Sequence, residues 1–154
     1  LYEVYQNAGP GNGYDKYMVL DPNIIYTGGF GTSLYSVLLE GNGAVIDLQG
    51  GTGIWMSGDE SISPPLVIKR CTIMNGGYYG VNFSGYGNHE IIDCNFINDE
   101  WGIQVGEHSY TTIRNCNLID NTYGLAIIGL DAEVNLAYCN GWGNTETYMS
   151  NCPG

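Results

Sequence analysis

The stretch Gly80-Val81-Asn82-Phe83-Ser84-Gly85 decides the fold, because similar phrases occur three more times in the chain. The other copies begin at Gly53, Gly102 and Gly124, so the phrases are separated by 27, 22 and 22 residues. Each copy starts with glycine and then alternates apolar residues with other residues. Self-similarity at a period of about 20 to 50 residues indicates a solenoid, in which each repeat stacks on the one before it.

Columns of like residues follow from aligning the copies. The cysteine column is Cys71, Cys94, Cys116 and Cys139, spaced 23, 22 and 23 residues apart, and Ala44 precedes it at the equivalent position. The two apolar columns of the phrase are Ile54, Val81, Ile103 and Leu125, and Met56, Phe83, Val105 and Ile127. Apolar residues two apart indicate strands, and no segment sustains a helical pattern. Short strands separated by Gly, Asn and Asp turns, stacked in register, predict a parallel β-helix.

The predicted fold is all-β, a single-stranded parallel β-helix of about six rungs that forms one domain over residues 1–154. The rungs fall at 17–36, 37–65, 66–88, 89–110 and 111–133, with a decaying repeat after them. Residues 1–16 are predicted to be an N-terminal cap region, 17–140 the rungs, and 141–154 a C-terminal cap or truncated rung.

Terminal rungs of a solenoid need caps, because their strand edges otherwise invite association with another chain. Tyr2, Val4 and Tyr5 are the apolar residues available for an N-terminal cap. At the other end we predict a weak cap built from Trp142 and Tyr148, and a chain that is a monomer or pairs end to end.

Composition restricts the partners. The formal net charge is -12, and Lys and Arg together number 4. Because Lys and Arg supply most of the attraction to nucleic acid and to anionic membranes, neither is an expected partner. No apolar run approaches the ~20 residues that span a bilayer. Low Lys content with abundant Gly, Asn and Tyr favours an extracellular or cell-surface protein.

The cysteines are read as core residues. Free cysteine packs as a small hydrophobe, and Ala44 in the same column supports that interpretation. We therefore predict that the four cysteines of the column are buried and reduced, with no metal between them. Cys152 lies outside the column and either pairs with Cys139 or stays free.

Two segments resemble a known group. Asp21-Pro22-Asn23-Ile24-Ile25-Tyr26-Thr27-Gly28 resembles the opening rung of pectin-lyase-like right-handed β-helices. Gly41-Asn42-Gly43-Ala44-Val45-Ile46-Asp47 resembles the rung that often follows, and the later rungs resemble the repeat of carbohydrate-binding proteins and sugar hydrolases. The resemblance covers about residues 17–140 and implies right-handedness, which parallel crossovers also favour. It does not imply one activity, since the superfamily hosts lyases, hydrolases, epimerases, adhesins and phage fibres.

Tyr79, Trp101 and Tyr123 each precede the glycine of a repeated phrase and are the predicted ligand-binding residues. We call them the aromatic row. Flat rings at rung spacing can stack against sugar rings. The alternative is that the rings stack on each other and cover a turn.

Charged residues give weaker candidates for catalysis. Asp99 and Glu100 adjoin Trp101 and could supply an acid and a base for glycoside hydrolysis, or oxygen ligands for calcium. Lys69 and Arg114 occupy one column with Ile92 between them and could serve a polysaccharide lyase. The hydrolase signatures of the superfamily, such as Asn-Thr-Asp, Asp-Asp and Gly-His-Gly, are missing from the sequence.

We predict mainly structural roles for the remaining polar residues of the repeat. Asn75, Asn98 and Asp120 each follow a cysteine by four residues and predict a hydrogen-bonded ladder. His89 and His108 are predicted to lie in turns with solvated side chains. The pair Glu107 and His108 is kept as a remote catalytic possibility.

The predicted function is an extracellular carbohydrate-associated binding or structural module without a recognisable catalytic site, metal or cofactor. One alternative is a polysaccharide lyase or glycoside hydrolase with a groove near Asp99, Glu100, Trp101, Lys69 and Arg114. Another alternative is an assembly element that stacks end to end.

Overall fold

The computed structural model describes residues 1–129 and 131–146. In these ranges the chain forms helix α1 (Tyr2–Asn7) and seventeen strands. The strands are β1 (Lys16–Val19), β2 (Ile25–Thr27), β3 (Gly31–Thr32), β4 (Val37–Glu40), β5 (Val45–Asp47), β6 (Ile54–Gly58), β7 (Leu66–Lys69), β8 (Thr72–Met74), β9 (Tyr79–Gly85), β10 (Gly87–Ile92), β11 (Asn95–Ile97), β12 (Trp101–Val105), β13 (Ser109–Arg114), β14 (Asn117–Ile119), β15 (Tyr123–Ile127), β16 (Glu133–Ala137) and β17 (Asn140–Trp142).

The strands form three parallel sheets, and each turn of the chain contributes one strand to each sheet. The first sheet has the order β1-β4-β7-β10-β13-β16, the second β2-β5-β8-β11-β14-β17, and the third β3-β6-β9-β12-β15. Five complete turns and the first two strands of a sixth lie in the described residues. This confirms the predicted all-β parallel solenoid of about six rungs, and the predicted rung starts agree with the structure to within two residues.

The core consists of the columns that the repeat predicts. Ile54 pairs with Val81, and Ile103 pairs with both Val81 and Leu125, so like residues stack directly. These side chains are buried. Fully burying an aliphatic or Phe side chain contributes roughly 1.5 to 3 kcal/mol, so the continuous columns hold the turns together.

The glycine that opens each phrase lies where the neighbouring turns leave no room for a side chain. A Cβ atom at Gly53 would overlap the carbonyl oxygens of Tyr79 and Gly80. At Gly102 it would lie 2.7 Å from the carbonyl oxygen of Gly124 and 3.1 Å from Nδ2 of Asn121. Close stacking of the turns is therefore the reason that the phrase begins with glycine.

The cysteine column is buried, as predicted for Cys71, Cys94, Cys116 and Cys139, and the first three are reduced. The Sγ atoms of Cys71 and Cys94 are 3.9 Å apart, and Sγ of Cys94 lies 3.2 Å from the carbonyl oxygen of Ile92. The pKa of Cys71 is raised because its thiol contacts Cys94 and because it is buried. The prediction for Cys152 falls outside the described residues.

Replacing Cys94 by Ser should lower the free energy of unfolding by about 1 to 3 kcal/mol, because a hydroxyl costs more to bury in an apolar column than a thiol, even with the carbonyl of Ile92 in reach. Cys94→Ala is the matched control, since Ala44 already occupies this column. Denaturant unfolding of the two variants measures the cost of the hydroxyl. A Ser variant as stable as the Ala variant would contradict this interpretation of the column.

The N-terminal residues pack against the first turn through helix α1, which the strand pattern did not predict. Tyr5 of α1 is buried and its ring stacks on Phe30 at 4.6 Å, while Leu1 joins the core and Val4 packs against it. Tyr2 is 57% exposed, so its predicted role in the cap is wrong. Helix α1 has six residues, and no helix in the described part of the chain is long and apolar enough to cross a membrane.

The predicted C-terminal cap is wrong at Trp142. This residue lies in β17, where it pairs with Ile119, and its side chain is 77% exposed. Trp142 continues the outward-facing column of the second sheet that also contains Ile119 and Ile97. Its side chain therefore points away from the core. Tyr148 lies outside the described residues.

At the turn after the second sheet, the predicted polar ladder is present between Asn75 and Asn98, and it continues to Asp47, whereas no hydrogen bond joins Asp120 to Asn98. Asn98 donates from Nδ2 to Oδ1 of Asn75 at 2.9 Å, and Asn75 donates in the same way to Oδ1 of Asp47 at 3.0 Å. Asn75, Asn98 and Asp120 all have positive φ values between 52° and 61°. Asn and Asp tolerate this left-handed conformation better than other residues with side chains, which explains their recurrence.

Candidate functional site

A groove runs over the outer face of the first sheet, and we call it the first-sheet groove. Its volume is about 470 Å³. Along β10, Gly87, His89 and Ile91 are buried, and the residues between them point outward. The same alternation in the neighbouring strands gives the groove two polar columns on its floor.

The polar columns of the groove come from three successive turns. Asn88 pairs with Tyr110, which pairs with Glu133, and Glu90 pairs with Thr112, which pairs with Asn135. Amide, hydroxyl, phenol and carboxylate groups therefore repeat along the solenoid axis at the rung spacing of ~4.8 Å. Tyr110 is 48% exposed. Such a floor can hydrogen-bond and stack against a polyhydroxylated chain.

Tyr14 from the N-terminal segment forms one wall of the groove. A turn between Gly11 and Tyr14, closed by two backbone hydrogen bonds of 3.0 Å, brings this ring over the first sheet. Burial and the nearby carboxylate of Glu90 raise the pKa of the Tyr14 phenol. Tyr14 is therefore protonated at neutral pH and can donate a hydrogen bond.

Lys69 and Arg114 lie beside this groove. Both pair with Ile92, as predicted, and they follow Val67 and Thr112 by two residues on the same outer face. They border the polar columns on the side of the second sheet, and neither lines the groove.

Asp99 and Glu100 are at a different corner of the solenoid, between β11 and β12. Strand β11 separates them from Lys69 and Arg114, so the structure does not bring the four predicted catalytic candidates together. Glu100 is exposed, but Asp99 is 3% exposed and faces the interior. A surface groove containing all four residues is therefore not present in the described part of the chain.

Asp99 belongs to a column that the repeat analysis missed, formed by the buried Asp99 and Asn121 and the partly buried Asn144, and here called the inner amide column. Oδ1 of Asp99 accepts the N–H of Gly76 at 2.6 Å, and Oδ1 of Asn121 accepts the N–H of Asp99 at 2.9 Å. Oδ1 of Asn144 accepts the N–H of Asn121 at 2.9 Å. A polar residue recurring at 22 and 23 residues was the signal for this column in the sequence.

The second polar atom distinguishes Asp99 from the two asparagines. Nδ2 of Asn121 donates to the carbonyl of Phe96 at 3.1 Å, and Nδ2 of Asn144 donates to that of Leu118 at 2.8 Å. Oδ2 of Asp99 is buried and has no hydrogen-bond partner. Burial raises the pKa of the Asp99 carboxyl to about 7. Asp99 is thus a structural residue in a position built for an amide.

The aromatic row lies in register at the start of the third-sheet strands. Trp101 pairs with both Tyr79 and Tyr123, and its ring stacks on Tyr123 with a centroid distance of 4.3 Å and an interplanar angle of 26°. Tyr79 instead contacts Tyr78 edge-on at 5.4 Å. The stacked faces of Trp101 and Tyr123 are occupied by each other, which favours packing over sugar stacking for this pair.

Replacing Trp101 by Ala should lower the free energy of unfolding by about 2 kcal/mol, through lost stacking and partial burial. Glycan retention should stay within about twofold of the wild type, since one face of the Trp101 ring is already covered by Tyr123. Thermal unfolding and affinity electrophoresis on the same variant measure both effects. Lost retention with unchanged stability would instead make the aromatic row the binding site.

The two histidines differ. His89 was predicted in a turn, and this is wrong, because it lies in β10 and is 1% exposed. Its ring stacks on Phe83 at 4.3 Å, and Nδ1 accepts the N–H of Leu66 at 3.2 Å. Burial lowers the pKa of His89 to about 4. This histidine fills the core as a neutral ring.

His108 does lie in a turn, beside Glu107. Its ring stacks on Tyr86 at 4.4 Å, and its Nδ1 is 3.8 Å from Oδ2 of Asp131. Glu107 and His108 border a shallow groove on the third sheet that also contains Asn82 and Gln104. The described residues contain no group of three or more His, Cys, Asp or Glu side chains placed to hold a metal ion, and the suggested calcium site gains no support from them.

Stacked turns, three parallel sheets and a polar groove along one sheet define a parallel β-helix protein. The chain belongs to the family described as right handed beta helix region, which matches residues 15–152. The match covers all seventeen strands of the described residues and agrees with the resemblance to pectin-lyase-like right-handed β-helices. No curated protein and no solved structure matches the chain.

Proposed function

We propose that this β-helix is a secreted or cell-surface carbohydrate-binding module whose ligand, a single glycan chain, lies in the first-sheet groove. The observation that carries the proposal is the arrangement of Tyr110, Tyr14 and the two polar columns around one groove. Glycan recognition needs apolar ring faces together with hydrogen-bonding groups in fixed positions. Both kinds of group come from rigid strands, apart from the Tyr14 wall.

The proposed ligand lies along the solenoid axis. Asn88, Tyr110 and Glu133 succeed one another along that axis, so a chain in this direction meets one turn after another. A ligand lying across the sheet would meet mostly one turn. We therefore expect affinity to increase with glycan length up to about four sugar units, which is the length that three to four turns of ~4.8 Å can contact.

Replacing Tyr110 by Ala should weaken glycan retention about tenfold, because one stacking contact of about 1.4 kcal/mol is lost. Tyr138→Ala is the matched control, since Tyr138 is also exposed but does not line the groove. A glycan array identifies a ligand, and affinity electrophoresis compares the variants. Equal retention by both variants, or no glycan bound by the wild type, would refute the proposal.

A second candidate function is glycoside hydrolysis, favoured by the two carboxylates in the groove. Glu90 and Glu133 lie two turns apart and in different columns, so their backbone positions are roughly 10 Å apart along the axis and about 7 Å apart across the sheet. Their side chains must extend toward each other for the carboxylates to act on one glycosidic bond. Inverting glycosidases hold an acid and a base at about 6.5 to 9.5 Å. Release of reducing sugar from a bound glycan, lost in both Glu90→Gln and Glu133→Gln, would establish this activity, and binding without release would exclude it.

A further inference from the structure

The charged residues that line the first-sheet groove are acidic. Glu90 and Glu133 contribute carboxylates, and among the described residues that line the groove there is no Lys or Arg. Tyr14, whose phenol pKa is raised by burial and by the nearby Glu90, is neutral at physiological pH. The lining itself therefore presents negative charge to a ligand, and the nearest cations of the first sheet, Lys69 and Arg114, lie in the neighbouring column.

The four basic residues of the chain do not enter the groove. Lys16 donates to the carbonyls of Gln6 and Ala8, and Arg70 forms an ion pair with Glu40 at 2.7 Å. Lys69 and Arg114 border the groove in the next column. The formal net charge of -12 adds a long-range field of the same sign as the groove.

We infer that the first-sheet groove selects glycans that carry primary amines, with ammonium groups held by Glu90 and Glu133. This inference rests on the proposed function and names its ligand class. Opposite charges attract across the groove, whereas a polyuronate would bring its carboxylates against two glutamates. The two carboxylates are two turns apart, so a chain along the axis can present separate amines to each.

The structure distinguishes this selectivity from a general attraction of an acidic protein for cations. A general attraction would involve all 16 acidic residues and would not respond to changes at two of them. Selection by the groove depends on Glu90 and Glu133 alone. Both mechanisms weaken with salt, so variants and not salt separate them.

The test compares β-1,4-linked glucosamine oligomers with their N-acetylated counterparts by calorimetry at about pH 5.5, where the sugar amines are protonated. The amine form should bind the wild type about tenfold more tightly at low salt. Polygalacturonate should bind more weakly than either. The double variant Glu90→Gln, Glu133→Gln should bind the amine and N-acetylated forms within about twofold of each other.

Two control variants complete the experiment. Lys69→Gln, Arg114→Gln should keep or increase the preference for amines, because these cations border the groove. Glu3→Gln, Glu146→Gln removes two exposed carboxylates elsewhere and should leave the preference unchanged. Equal binding of both forms by the wild type, or a preference that survives in the Glu90→Gln, Glu133→Gln variant, overturns the inference and leaves the proposed function standing. Failure to bind any of the glycans tested on the array overturns the proposed function as well.

Discussion

Replacing Asp99 by Asn should raise the free energy of unfolding at about pH 8 by roughly 2 to 4 kcal/mol. Oδ2 of Asp99 is buried without a partner, whereas the same position in Asn121 and Asn144 is a nitrogen that donates to a backbone carbonyl. The strand register places the carbonyl of Ile73 where those of Phe96 and Leu118 serve the asparagines. An amide at residue 99 therefore gains a hydrogen bond and removes a buried charge.

The free energy of unfolding contributed by Asp99 should depend on pH in a defined direction. The Asp99 pKa rises from its ordinary value of 3.8 to about 7 on folding, so the folded state holds its proton more tightly than the unfolded state. The stability linked to that proton is fully present below pH 3.8 and is lost as the pH rises through about 7. The advantage of the Asn variant should thus be small at about pH 4 and reach its full size above about pH 7.

His89 produces the opposite slope and can mask that of Asp99. Its pKa falls from 6.5 to about 4 on folding, so stability is lost as the pH falls below 6.5. The Asp99→Asn variant should therefore show the histidine slope alone. Asp120→Asn, at an exposed carboxylate, is the control. Urea unfolding across this pH range would contradict the account if Asp99→Asn were no more stable than wild type at about pH 8.

Replacing Gly53 by Ala should cost more than about 3 kcal/mol, or prevent folding, because the new Cβ overlaps two backbone carbonyl oxygens of the next turn. Backbone atoms of a stacked turn cannot move aside as a flexible side chain can. Gly9→Ala is the control, since a Cβ there meets no atom within 4 Å. Circular dichroism and urea unfolding measure the effect, and a Gly53→Ala protein of wild-type stability would show that the turns stack less closely than described here.

The fold could be predicted from the sequence because every turn of the solenoid is stabilised by burial of equivalent residues. Each turn buries residues at the same positions, for example Cys94 and Cys116, or Val81 and Ile103. The requirement for a small or apolar side chain at each position is therefore visible several times in the sequence. The N-terminal helix escaped prediction because six residues give too little periodicity. Its Tyr5 is fixed by a tertiary contact with Phe30 that no local pattern reveals.

The proposed site could not be predicted from the sequence, because its residues do not recur at equivalent positions of successive turns. Glu90 and Glu133 fall in different columns, paired with Thr112 and Tyr110, so alignment of the turns does not bring them together. Tyr14 lies outside the repeat and reaches the groove through an N-terminal turn. The aromatic row repeats clearly, but a repeat signals stacking, and Trp101 and Tyr123 stack on each other.

The central claim, that a glycan occupies the first-sheet groove, is tested most directly by hydrogen–deuterium exchange with and without a bound glycan. A ligand in the groove should slow exchange in β10, β13 and β16 and in the turn between Gly11 and Tyr14, and leave the third sheet unchanged. Protection confined to the start of β9, β12 and β15, where the aromatic row lies, would contradict the claim and place the ligand on the third sheet.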